Sequence, residues 1–399
     1  MERGKKKVDW SDLPKELWPN IGKCLDNSVG VFRFRSVCKL WRSSIPSFQR
    51  TILPPLPHMY SSCSSASARA AGTEIQAVLY LITVYRMEAL VDGEPNSSKP
   101  WLVKFEESPS GKLRLRHPIT NSPLRNSPDG SSKQFNLLDF GIVELSKSYA
   151  LKYRLNDFTV DCMNKVIVLN PTHLDNFAVM MMHGEGQLYF ARFGDEKWTL
   201  LKQKDSWFDD IIAYKGHCYV VDREGIVSCM NSEFKVIQFS PPLGRLGEQK
   251  HLVESCGDLY VVDRFTERQR LKMCKMLEHR DLIFGDLTAP YPETVSFKVY
   301  KLEREWGRWV EVNSLGDQVF VLSHDDSFSV STRGVSRVKG NCILFTDQKR
   351  TYEPEFGGPR TLTRQCSVFN LENGSITNLA ASPGYSPMLQ PPSAWLSPD

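Results

Sequence analysis

The spacing of apolar positions changes once along this chain of 399 residues, and the change divides it. Leu13, Leu17, Ile21 and Leu25 recur every four positions, the signature of one helix face. Ser11 or Asp12 is placed to cap this helix, and Pro14 falls in its first turn, where a missing N–H costs nothing. Asn27 and Ser28 punctuate. Val29 to Phe34 predicts a second helix, short because Gly30 lowers helix propensity by about 1 kcal/mol relative to Ala. Ser36 is placed to cap a third helix, in which Val37, Leu40 and Trp41 share a face and Lys39 and Arg42 lie off it. Three helices this short bury little surface alone, so the module 8–50 is expected to complete a core by docking on something.

Small residues fill Ser61 to Gly72 and cannot bury enough surface to order themselves; residues 51–74 are predicted to be a linker. From Ile75 to Leu379 the pattern becomes short alternating strands separated by Gly, Pro, Asn and Asp. Val78 to Tyr85 is too short and too rich in β-branched and aromatic residues for a membrane helix and reads as a buried strand. A loose unit recurs: Gly, one or two polar positions, then an apolar strand. It appears at Gly186–Phe190, Gly216–Asp222, Gly257–Asp263, Gly316–Val321 and Gly340–Asp347. The Gly permits a tight turn, and the residues after it are expected to form an inner strand. The spacing is irregular against the roughly 40–50 residues of propeller repeats, with Thr266 to Pro292 as the largest insertion. Trp198, Trp306 and Trp309 are expected on outer strands. The predicted fold class is mixed and mainly β: a three-helix head, then a degenerate β-propeller over 75–380, with a stacked sandwich as the alternative. Residues 381–399 form a Ser/Pro-rich tail.

Composition adds little to this picture. A mean hydropathy of −0.34 and 24% charged residues fit a globular protein, and no apolar run nears the roughly 18 residues of a membrane helix. The basic end 1–7 lacks a following apolar stretch, which predicts a nuclear or cytoplasmic protein. Ten cysteines without metal-ligand spacing predict neither a disulfide framework nor a zinc site. Residues 1–50 carry eleven Lys/Arg against five Asp/Glu, so the head is basic and the body near neutral, an asymmetry that steers association with an acidic partner; a protein is the expected one, and neither nucleic acid nor a membrane is.

Leu13-Pro14-Lys15-Glu16-Leu17, then Ile21 and Leu25, and finally Val37-Cys38-Lys39-Leu40-Trp41-Arg42 resemble the F-box. The resemblance implies that the head packs against a Skp-type adaptor, and through it joins the cullin and RING subunits of an SCF ubiquitin ligase. It implies that Leu13, Pro14, Leu17, Ile21, Val37, Cys38 and Trp41 form or support the adaptor-facing surface, with Trp41 as aromatic anchor. Trp18, where the family often has Leu, and Ser28-Val29-Gly30, where helix two usually starts acidic, depart from the pattern. Trp101–Phe105, Gly111–Leu115, Pro118–Pro123, Val312–Val321 and Gly340–Asp347 are similar to plant F-box proteins with a KIB-type propeller. That implies a substrate-recruiting propeller and a plant source.

Catalytic chemistry is not indicated. Asp209-Asp210, Asp325-Asp326 and the pair Glu303 and Glu305 are carboxylate pairs of the kind that serve acid/base or metal chemistry, but Asp in turns is common, and these are expected to be solvated. His217 and Cys218, adjacent on a strand, point to opposite faces. The expected protein is a non-enzymatic adaptor with no cofactor and no metal. A propeller enzyme or carbohydrate-binding protein is the alternative.

Overall fold

The computed structural model describes residues 13–25, 28–45, 56, 75–91, 94–95, 100–110, 112–124, 137–155, 158–161, 164–170, 177–183, 186–201, 207–231, 233–244, 247–267, 293–303, 307–323, 325–335, 338–351 and 361–389. The basic end, the predicted caps Ser11 and Asp12, the linker apart from Leu56, the insertion 268–292, Glu305, Trp306 and the tail beyond Leu389 lie outside these residues.

The head begins with a 3-10 turn, Lys15–Leu17, that runs into α1 (Trp18–Lys23). Two more helices follow, α2 (Ser28–Ser36) and α3 (Lys39–Ser44). At nine residues α2 is the longest, not the shortened helix that Gly30 predicted. Val29, Val31 and Phe34 are buried along it, and packing of one face outweighs a single propensity penalty. Ser36 is still helical and donates its hydroxyl to the Phe32 carbonyl at 2.7 Å. The cap of α3 is Cys38, whose Sγ accepts the Trp41 N–H at 3.5 Å.

Among the described residues the strands form four hydrogen-bonded sheets, of ten, four, four and five strands; the ten-stranded one folds as two blades joined through the Tyr149–Val166 pair, which gives five blades in all. Blade 1 comprises β1 (Ile75–Val91), β2 (Glu94–Pro95), β3 (Trp101–Glu107), β4 (Leu113–Arg116), β5 (Phe140–Leu155) and β6 (Phe158–Asp161), ordered β5-β1-β3-β4. Blade 2 is β7 (Asn164–Leu169), β8 (Ala178–His183), β9 (Gln187–Arg192) and β10 (Thr199–Leu200). Blade 3 is β11 (Phe208–Tyr214), β12 (His217–Asp222), β13 (Val227–Met230) and β14 (Val236–Gln238). Blade 4 is β15 (Gln249–Ser255), β16 (Asp258–Thr266), β17 (Thr294–Glu303) and β18 (Arg308–Val312). Blade 5 holds β19 (Gln318–Leu322), β20 (Ser327–Ser331), β21 (Cys342–Thr351), β22 (Thr361–Asn370) and β23 (Ile376–Asn378). A short helix, α4 (Ser386–Leu389), packs on β3.

The strands β5, β7, β11, β15 and β20 line a central cavity of about 350 Å³. The Gly-led units therefore open second or third strands, not the innermost ones: β9, β12, β16, β19 and β21. The turns before β12 and β16 explain the Gly. Lys215-Gly216 (φ 48° and 78°) and Cys256-Gly257 (φ 52° and 82°) each have two consecutive left-handed residues, the two-residue geometry that matches strand twist and favours Gly in second place. Blade 5 breaks the meander: β20 folds inward, so β19 pairs antiparallel with β20 and parallel with β21. Trp309 lies on β18, the outermost strand of blade 4.

Both faces of each blade are covered. On β12, Cys218 and Val220 pack toward blade 2, whereas Tyr219 and Val221 pack toward blade 4. Double burial is why such strands read as apolar runs. Each of the five junctions has its own apolar cluster; that between blades 5 and 1 joins Val84, Leu102 and Ile119 to Val319, Val321, Leu344 and the C-terminal Leu379 and Leu389.

Candidate functional site

The head has a core of four buried side chains, Trp18, Val31, Phe34 and Ile45, with Leu13, Ile21, Leu25 and Trp41 packed against it. Trp18, a departure from the expected Leu, is its centre at 0% exposure. Its ring lies 4.3 Å from that of Trp41 and 6.4 Å from that of Phe34. The stripe Leu13, Leu17, Ile21, Leu25 is broken at Leu17, which is 42% exposed. The reason is the 3-10 turn: three residues per turn rotate the face relative to an α-helix, so Trp18 and not Leu17 joins Ile21 inside. Helices α2 and α3 are tied by reciprocal bonds, Arg42 Nε to the Arg35 carbonyl at 3.1 Å and Arg35 Nη1 to the Arg42 carbonyl at 2.9 Å, with a further Arg35 bond to the Ile45 carbonyl.

The seven residues picked from sequence divide into two groups. Leu13, Ile21 and Trp41 sit against the core. Pro14, Leu17, Val37 and Cys38 are exposed, Val37 at 47%. Trp41 stacks inward between Trp18 and Phe34; among the described residues of the head the exposed aromatic side chain is Phe32, at 37%, accompanied by Leu40. Spacing does not single out Phe32 as a surface residue because Val29, Val31, Phe32 and Phe34 are scattered round the helix between Arg33 and Arg35 and form no single apolar stripe.

The propeller offers a second candidate, the central cavity, lined by Glu144, Ser146, Lys165, Glu254, Asp325 and Asp326 among others. In and around it, buried acids are partnered across blade junctions. Lys165 Nζ of blade 2 donates to Asp210 Oδ1 of blade 3 at 2.6 Å, and the other Asp210 oxygen accepts the Leu252 N–H of blade 4 at 2.9 Å. Lys104 Nζ of blade 1 reaches both oxygens of Asp325 in blade 5, at 2.7 and 2.6 Å, and Ser146 donates to Asp326. Arg264 of blade 4 pairs with Asp347 of blade 5 at 2.5 Å. Thus Asp210 and Asp325 are buried, not the solvated turn charges expected, because each charge has a cation or amide donor that offsets its desolvation. Burial opposes ionisation of Asp325, but Lys104 and the Ser323 hydroxyl hold its carboxyl down at about 2. The half-buried Asp209, the neighbour of Asp210 in sequence, is instead pushed up to about 6 by desolvation, despite the Lys250 N–H. His217 is exposed and Cys218 buried, on opposite faces as expected. Asp210, Asp325, Asp326 and Asp347 thus tie neighbouring blades together; no acid, base and nucleophile converge in the cavity among the described residues.

A ring of five blades carrying a three-helix head with surplus apolar surface defines a β-propeller protein with an F-box-like docking module. The family model of the KIB1-4 beta-propeller matches residues 88–370, and the chain belongs to that family of plant F-box proteins. It is 30% identical to F-box protein At4g35733 of Arabidopsis thaliana, over 96% of this chain and 98% of that one. F-box protein SKIP23 of the same plant is 27% identical over 98% and 96%, and F-box protein At2g17036 28% identical over 98% and 95%. Among solved structures, the WD40 domain of SCAP from fission yeast aligns over 76% of this chain and 89% of its own, at 11% identity and a TM-score of 0.23, and adds nothing to the fold argument.

Proposed function

We propose that this chain is the substrate-recognition subunit of an SCF-type cullin-RING ubiquitin ligase. The head binds a Skp-type adaptor and the propeller binds a target protein in the nucleus or cytoplasm. Proximity supplies the catalytic gain: the target is held at high effective concentration near the charged conjugating enzyme, and no bond chemistry occurs in this chain. One observation carries the reading. The head keeps Leu17, Phe32, Val37 and Leu40 in water although it has a core of its own. The kinship with proteins named as F-box proteins supports it. Pro14, Leu17, Val37 and Cys38 would touch the adaptor, with Leu13, Ile21 and Trp41 holding the surface from beneath.

The test is calorimetric binding of the whole chain to a plant Skp-type adaptor. A Leu17→Asp/Val37→Asp variant should keep its helical signal and lose at least tenfold in affinity, about 1.4 kcal/mol or more. Absence of binding by the wild type would remove the proposal.

A further inference from the structure

The strand β1 is 17 residues long, roughly 55 Å at the usual rise per residue. Its partner β5, at 16 residues, follows it through pairs from Ile75↔Leu155 to Ala89↔Phe140. No neighbouring blade has a strand of that length; β7 and β8 of blade 2 have six residues each. Blade 2 therefore covers only part of the ribbon. On the odd-numbered face of β1, Ala77 and Leu79 pack against Val166, Val168, Val179 and Met181 of blade 2. Further along the same face, Tyr85 and Met87 of β1 and Val103 of β3 are buried with a different partner, Val29 from the first turn of α2. The helix also meets the 3-10 turn Leu137–Asp139 that leads into β5. A second tie lies past the head, where Leu56 is buried against Ala77, Leu79 and Leu151 in the cluster between blades 1 and 2.

We infer that the helical head is clamped to blade 1 through Val29 and Leu56, so that its exposed apolar surface and the propeller are held in one fixed orientation, not joined by a free tether. The segment 51–74 predicted as a linker is pinned at Leu56, and the head serves as the cover for the end of the β1–β5 ribbon that blade 2 does not reach. Only the consequence for a ligase rests on the adaptor reading: a fixed head sets which lysines of a bound target face the conjugating enzyme.

The experiment is a distance distribution by double electron–electron resonance on the full chain. Spin labels go on Cys24, exposed just after α1, and Cys256, exposed in the β15–β16 turn, with the remaining reactive cysteines replaced by serine. The wild type should give one narrow distance, and Val29→Asp or Leu56→Asp should broaden it while circular dichroism keeps the strand signal. A broad distribution in the wild type overturns the clamp, whatever the variants do. A narrow distribution unchanged by both folded variants overturns the role of these two contacts. Adaptor binding, measured separately on unlabelled chain, decides the ligase reading without touching this result.

Discussion

The head and the propeller meet the same problem, too little apolar filling for the surface to be closed, in opposite ways. The propeller buries charge: Lys104, Lys250, Asp210 and Asp263 are at most 1% exposed and bridge strands or blades. The head's core is four apolar side chains, two of them the aromatic rings of Trp18 and Phe34, and the head leaves comparable apolar groups outside. Buried pairs add little net stability against apolar replacements but discriminate strongly against wrong partners, which suits seams that must choose one neighbouring blade. Leftover apolar surface is indifferent to which chain covers it, which suits a docking module.

The contrast is broken most severely at the seam between blades 5 and 1. Lys104→Met leaves Asp325 buried without its cation, and equilibrium denaturation should show a loss of about 3–5 kcal/mol, most of it regained in Lys104→Met/Asp325→Leu. The pH dependence gives a second handle. Because the folded pKa of Asp325 is depressed to about 2, its contribution is present above the unfolded value near 4 and is lost as pH falls from about 4 to about 2. In the head, Trp18→Ala removes the centre of a four-residue core. A cost of about 3–4 kcal/mol should unfold the head alone, seen as lost helical ellipticity with the propeller's thermal transition retained.

A smaller effect of opposite sign is expected at Asp209. Its raised pKa, about 6, means that the folded state favours the protonated form: the burial cost is absent below pH 4, grows as pH rises through 6, and is full at pH 7. Asp209→Asn keeps an acceptor for the Lys250 N–H and should raise stability by about 1–2 kcal/mol at pH 7. At pH 4 the gain should vanish; a gain that persists there would place its origin outside this titration.

Much of this was legible in the chain itself. The three helices, the propeller texture and the Gly-led turns all follow from spacing and turn chemistry, and the turns were read for the right reason at Gly216 and Gly257. Their strands lie one or two positions further out than the inner place expected of them, because innermost strands such as β11 and β15 precede the Gly and carry no punctuation of their own. Leu17 and Trp18 exchanged roles because a 3-10 turn cannot be told from an α-turn by apolar spacing over one turn. The acids Asp210 and Asp325 look like turn residues locally; their partners Lys165 and Lys104 lie 45 and 221 positions away, beyond the reach of any local pattern.

That last separation bears on how the chain is made. Blades 3 and 4 are antiparallel meanders that close within a few dozen residues as they emerge, whereas Asp325 must find Lys104 across 221 positions. In blade 5, β21 pairs with the side of β19 that the β19–β20 hairpin leaves open. Closure of the ring is thus the late event of synthesis, governed by long-range contact formation. Until it happens, Val84 and Leu102 on one end of the arc and Val319 and Val321 on the other are sticky edges with the same chemistry. The nascent protein is at greatest risk of association in the interval between the release of blade 4 and the arrival of α4.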